Sequence, residues 1–136
     1  MTRIEKVVPA LLRHLEQNIE ILVFRHPLAG IQIVKGTVEP NEKPEDAAIR
    51  ELYEESGISS ASIDSYLGLH HPSESGPNWH VFMCSTTETL KERWTHFCHD
   101  DGGLEFKFFW HPLVKEPNDE WHDLFKELLN FIRSRY

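Results

Sequence analysis

Residues Gly36 to Ile58 read GTVEPNEKPEDAAIRELYEESGI, a glycine-led acidic loop that runs into a helix-forming segment. At 3.6 residues per turn, Glu51, Glu54 and Glu55 stand at i, i+3 and i+4, so their carboxylates fan over one side of that helix. Ala48, Ile49, Leu52 and Tyr53 fall on the opposite side, which predicts one face for packing and one free for chemistry. Pro44 marks the start, because a first turn loses nothing through its missing N–H. Glu45 and Asp46 beside it complement the positive end of the helix dipole. Gly57 suits the left-handed position that closes a helix. A carboxylate face fed by such a loop is what a hard divalent cation needs if it is to be held against a polyphosphate.

A charge run on a helix is most often a solvated face, and like charges at these spacings cost only about 0.2–0.5 kcal/mol per pair. Clustering alone is therefore permissive. The full spacing decides: G(x)5E(x)7REUxEExGU, with U aliphatic, is met at Gly36, Glu42, Arg50, Glu51, Leu52, Glu54, Glu55, Gly57 and Ile58. At average residue usage a chance match in a chain of this length falls well under about one in a million.

This pattern resembles the Nudix box, and the chain is similar to the MutT-like Nudix hydrolases. The resemblance implies that Glu51, Glu54 and Glu55 bind one or more divalent ions, Mg²⁺ or Mn²⁺, joined by the main-chain carbonyl of Lys35. It implies that Arg50 pairs with the loop residue Glu42 and orients the site. It also implies that a glutamate takes the proton of the attacking water, with Glu54 the first candidate and Glu51 and Glu105 after it. The implied fold is an α/β/α sandwich with a mixed β-sheet between helices. The implied reaction is Mg²⁺-dependent hydrolysis of a diphosphate linkage in a nucleoside diphosphate derivative.

The chain departs from the family pattern at the loop. Lys35 and Asn41 stand where many members have glycine; asparagine is next after glycine in accepting a left-handed backbone, so the loop is expected to survive. The Lys35 side chain is left open between substrate phosphates and solvent. Lys43 occupies the helix cap, where a short polar side chain is usual, and its presence weakens the helix start by about 1 kcal/mol.

The rest of the chain narrows the reading. Its 136 residues are most simply one domain, 1–136, with 40% hydrophobic and 26% charged residues and no repeat or low-complexity tract. The net charge of −8 argues against long nucleic acid as a partner, because such affinity scales with Lys and Arg contacts; a small nucleotide is the partner that the resemblance implies. Cys84 and Cys98 have no ligand-like spacing and read as reduced thiols of a cytoplasmic protein. MTRIEKVVPALLRHLE is broken by charge every few residues and reads as neither signal peptide nor membrane span.

Val7–Leu15 and Ile19–Arg25 read as a hairpin, followed by a short strand at Ile31–Val34. Beyond the box, strands are expected at Ser62–His70, Trp79–Ser85, Arg93–Cys98 and Glu105–His111, with a turn at Asp100–Gly103. A terminal amphipathic helix is expected from Asp119 or Glu120 onward, with an apolar stripe from Trp121 to Ile132. Without the resemblance these elements say α/β and no more.

Outside the box, Arg25 ends a strand where many family members keep an arginine for a substrate phosphate; an ordinary strand-end charge is the equal alternative. Glu105 is the candidate for an additional carboxylate near the last strand, ahead of Glu74. Trp79, following a Pro/Ser/Gly-rich loop, has the setting of a substrate lid. His70 and His71 point to opposite faces of a strand and make a poor chelate.

The short chain favours a nucleoside triphosphate or another small nucleotide. Two alternatives stay open: a Nudix domain that binds nucleotide without cleaving it, and an enzyme like isopentenyl diphosphate isomerase, for which neither cysteine lies in a matching motif.

Overall fold

The computed structural model describes residues 3–99 and 102–136, so Asp100 and Asp101 of the expected turn lie outside the described residues. The expected hairpin is β1 (Glu5–His14) and β2 (Ile19–His26), paired antiparallel with Leu12 opposite Ile21. Both strands are buried on both faces, and the pleat sorts their side chains. Val8, Ala10 and Leu12 of β1 and Ile21 and Val23 of β2 enter one core, while Val7, Leu11, Leu22 and Phe24 enter another.

The strand expected at Ile31–Val34 is shorter and displaced, as β3 (Gly30–Gln32) on β2, and a further pairing appears as β4 (Gly36–Thr37) on β1. β5 (Ser62–His70), β6 (Asn78–Ser85), β7 (Arg93–Cys98) and β8 (Leu104–Pro112) lie within a residue or so of their expected spans. The sheet runs β5-β6-β1-β2-β8-β7. β1 and β6 are parallel and the other pairs antiparallel, so the sheet is mixed.

One helix covers each face. The box helix, α1 (Pro44–Ser56), packs Ala47, Ala48 and Leu52 against the core that holds Leu22 and Phe24. The terminal helix, α2 (Asp123–Arg135), packs Phe125, Leu128, Leu129 and Ile132 against the core that holds Val8 and Val23. This is the expected α/β/α sandwich. α2 begins later than the sequence suggests, because Trp121 bridges to Ile31 and His122 caps the helix by accepting from the Leu124 N–H at 3.2 Å. Among the described residues no helix is long and apolar enough to cross a membrane.

The packing face of α1 is also rotated from the expected one. Ala47, Ala48, Glu51, Leu52 and Ser56 are its buried residues, whereas Tyr53 is 55% exposed. Glu51 is thus carried to the edge of the packed face, and Tyr53 is left at the surface.

Candidate active site

The loop and helix are locked together before any ligand is considered. Asn41 takes the left-handed backbone expected of it, with φ 65°. The tight turn around it is closed by the Glu42 N–H donating to the Glu39 carbonyl at 3.1 Å, and the Glu39 N–H donates to Glu42 Oε1 at 3.0 Å. α1 starts at Lys43 without a side-chain cap and has Pro44 in its first turn. It ends at Gly57, whose N–H donates to the Tyr53 carbonyl at 2.8 Å with φ 83°.

Arg50 is the hub. Its guanidinium holds Glu42 with two bonds, Nε to Oε2 at 2.8 Å and Nη2 to Oε1 at 2.9 Å, and Nη2 also donates to the Thr37 carbonyl at 3.0 Å. Nη1 turns to the helix face, donating to Glu51 Oε1 at 2.7 Å and Glu54 Oε2 at 3.2 Å. The planar fork of arginine suits this task, since one side chain fixes several carboxylate orientations at once. Arg50 beside it holds the Glu42 carboxyl below the usual carboxylate range, and the Arg50 pKa is raised in turn, Glu42 being the largest cause.

Glu51 is the most confined of the helix carboxylates, 8% exposed. Its side chain lies over Gly36 so closely that a Cβ on that glycine would meet Glu51 Cδ at 2.0 Å. The first glycine of the box is thus a space requirement, with no unusual φ involved. Burial pushes the Glu51 pKa up, against the pull of Arg50.

The structure brings Glu42, Arg50, Glu51, Glu54 and Glu55 together and leaves others apart. Among the described residues no three His, Cys, Asp or Glu side chains form a ready cage for a metal ion; Arg50 Nη1 bridges Glu51 and Glu54 instead. Lys35 lines a cavity of about 290 Å³ together with Glu55. Arg25 pairs with Glu120 at 2.5 Å, and its register partner is Lys107, on the sheet face opposite Phe24.

Glu105 is exposed and paired with Phe97. Its neighbour Phe106 stacks on Phe24 at 4.4 Å in the α1-side core, so the pleat aims Glu105 away from the helix carboxylates. Trp79 is 4% exposed in the core under α2, so the loop before it does not make it a lid. The Glu74 carbonyl accepts from Arg3, away from the box. His70 lies against the Phe131 ring, tilted at 49°, and His71, just past the end of β5, meets Arg3, so the two have separate partners.

Sequence reasoning missed Lys6 and His96. Lys6 Nζ donates to Thr37 Oγ1 at 3.1 Å, and burial and the nearby Lys35 lower its pKa while Glu51 and Glu55 raise it. His96 Nε2 donates to the Glu54 carbonyl at 3.0 Å. Both places depend on contacts between segments far apart in the chain, Lys6 of β1 with Thr37 of β4 and His96 of β7 with the end of α1, for which the local sequence carries no signal.

A model of the NUDIX domain matches residues 6–129. The chain belongs to the Nudix family. Diphosphoinositol polyphosphate phosphohydrolase 2 of Mus musculus is 32% identical over 80 residues, which are 57% of this chain and 44% of that protein. The chain therefore spans under half the length of that curated relative. Among solved structures, an Ap4A hydrolase binary complex from C. elegans superposes with TM-score 0.67 at 20% identity, over 96% of each chain. The NUDIX domain of Shewanella oneidensis NrtR complexed with ADP ribose superposes with TM-score 0.63 at 12% identity, over 99% of this chain and 89% of that one. At these identities the structural matches speak for the shared Nudix fold.

Proposed function

We propose that this Nudix chain is a pyrophosphohydrolase that cleaves a diphosphate linkage in a nucleoside diphosphate derivative, a nucleoside triphosphate or another small nucleotide, with Mg²⁺ or Mn²⁺ as cofactor. The observation that carries the reading is Arg50, which clamps Glu42 bidentately and at the same time gathers Glu51 and Glu54 on the edge of α1. The curated relative is named a phosphohydrolase of a diphosphorylated compound, and the Ap4A hydrolase is named for a nucleotide with phosphoric anhydrides, which accords with the same reaction class.

The donor set fits a hard cation. It is all oxygen, carboxylates and a main-chain carbonyl, and Glu51 and Glu54 already converge on one positive charge, the Arg50 guanidinium. Glu51, Glu54, Glu55 and the Lys35 carbonyl would hold the ion. When bound, it supplies neutralising charge to the anhydride oxygens and acidifies the attacking water.

The protein's own contribution is orientation and proton transfer. Arg50 fixes the carboxylates, and the Gly36 backbone leaves the Glu51 carboxyl its space. Glu54, less buried than Glu51 at the same guanidinium, takes the proton of the attacking water. Water adds to one phosphorus, the bond from that phosphorus to the bridging oxygen breaks, and two phosphorylated products leave.

The test is a panel of nucleoside diphosphate derivatives incubated with Mg²⁺, with products read by mass spectrometry. Cleavage into two phosphorylated fragments that stops on chelation supports the reading. Tight binding with no product after long incubation would replace it with a nucleotide-binding domain.

A further inference from the structure

We propose that Trp94 and His96 of β7 are positioning residues: their ring N–H groups pin the last turn of α1 to the sheet and so set the affinity of the carboxylate edge for its divalent ion. The inference rests on the hydrolase reading above, because it takes Glu54 and Glu55 to be ligands of that ion.

A helix leaves its last four carbonyls without an intrahelical donor, and in α1 these belong to Tyr53, Glu54, Glu55 and Ser56. The Tyr53 carbonyl takes the Gly57 N–H at 2.8 Å. Two of the others are met from a distant part of the chain. His96 Nε2 donates to the Glu54 carbonyl at 3.0 Å, and Trp94 Nε1 donates to the Ser56 carbonyl at 3.0 Å. The donors stand two apart on β7, so they share the sheet face that α1 covers. Leu52 is the last residue that α1 sends into the apolar core, and the proposed ligands Glu54 and Glu55 lie beyond it. The side chains of β7 thus hold the part of the helix that core packing does not reach.

The donors are themselves held rigidly. The Trp94 ring stacks on Phe108 in the core, with centroids 5.2 Å apart and planes 9° from parallel, which fixes the direction of its N–H. His96 is in register with Phe106, whose ring stacks on Phe24. The imidazole reaches α1 because Gly57 has no side chain; a Cβ there would meet His96 Nδ1 at 3.0 Å. Gly57 therefore serves a left-handed turn and a close approach at the same residue. Arg50 orients the Glu54 carboxylate, while β7 fixes the backbone that carries it. Removing a partner that orients a metal ligand costs about 10–100-fold in affinity. His96 also walls, with Tyr53, Glu54 and Gly57, a cavity of about 590 Å³, larger than the one at Lys35. Nucleotide binding would mix contacts in that cavity with the effect on the ion, so the ion alone is the probe.

Mn²⁺ is titrated without nucleotide, and the free ion is followed by electron paramagnetic resonance. The proteins are wild type, Trp94→Phe, His96→Phe, the double variant, His96→Gln and His111→Phe, each checked for folding by circular dichroism. Phenylalanine keeps a ring at each position and removes the donor; glutamine returns an N–H close to where Nε2 stood. The double variant is expected to bind Mn²⁺ at least about tenfold more weakly than wild type, each single variant losing part of that, and His96→Gln recovering most of the His96→Phe loss. Should the double variant not fold, the two single variants carry the comparison. His111→Phe removes the same kind of bond on the opposite face of the sheet, Nε2 to the Lys115 carbonyl at 2.9 Å, and should leave the affinity unchanged. Unchanged affinity in both Trp94→Phe and His96→Phe, an equal loss in His111→Phe, or His96→Gln no better than His96→Phe would each overturn the inference. Wild type that binds no Mn²⁺ would overturn the hydrolase reading and the inference with it, a result distinct from those three.

Discussion

Gly36 shows how one residue can hold a site in place. The Glu51 side chain fills the space that a Cβ would need, and Glu51 is itself fixed by Arg50 at 2.7 Å. Gly36→Ala is therefore expected to leave the sandwich folded at a cost of about 1–3 kcal/mol, because the obstructing atoms belong to a side chain that can swing away. The displaced carboxylate should lower Mg²⁺-dependent turnover at least about tenfold. Melting curves together with steady-state rates check this, and full activity in the alanine variant would contradict the role given to Gly36. The box residues were legible because their spacing is local to one loop and one helix. The directions of Glu105 and Trp79 were not, because they are set by strand register. Glu105 lies opposite Phe97 and turns outward, and Trp79 pairs in register with Lys6 and ends under α2. The turn expected between β7 and β8 marks the first pairing but not its register, and nothing near Trp79 records the second.

At the scale of the element, α1 is a helix with a weak start and a well-made end. Its cap residue, Lys43, makes no side-chain hydrogen bond, whereas Gly57 closes the last turn in the left-handed conformation. Lys43→Ser should supply the missing acceptor and stabilise the protein by about 1 kcal/mol, raising the melting temperature by about 3 °C. Calorimetric melting measures it, and an unchanged or lower midpoint would contradict the account of this terminus. Both ends of α1 could be read in advance, since Pro44 and Gly57 act within a residue or two of themselves. Its rotation about its axis could not. Periodicity placed Tyr53 on the packed face, yet the sheet receives Ala47, Ala48 and Leu52, so Tyr53 emerges beside the larger cavity. Small alanines let the helix approach closely on that side, a fact of packing that a count of apolar residues does not weigh.

At the scale of the whole molecule, the sheet of mixed strands between two helices could be foreseen from the resemblance. The parallel pairing of β1 with β6 could not, because it joins segments far apart in the chain. The α2 side of the sheet carries two histidines whose pKa values are lowered mainly by burial: the half-buried His70 against Phe131, and the buried His111 against Trp121 with Nε2 at 2.9 Å from the Lys115 carbonyl. A histidine depressed in the folded state favours folding fully above its unfolded pKa, about 6.5, and that contribution is lost as pH falls through the folded value. Urea unfolding should therefore show a smaller loss of stability between about pH 7.5 and 5.5 in His111→Gln than in wild type; equal losses would contradict it. Sheet and helices together hold the carboxylate edge of α1 over the cavities, and the central claim is that this edge cleaves a phosphoric anhydride. The most direct test is the turnover of Glu54→Gln on whichever nucleotide wild type cleaves with Mg²⁺, with circular dichroism confirming the fold. A fall of about 10²–10⁴-fold is predicted, and unchanged Mg²⁺-dependent hydrolysis in the folded variant would contradict the account.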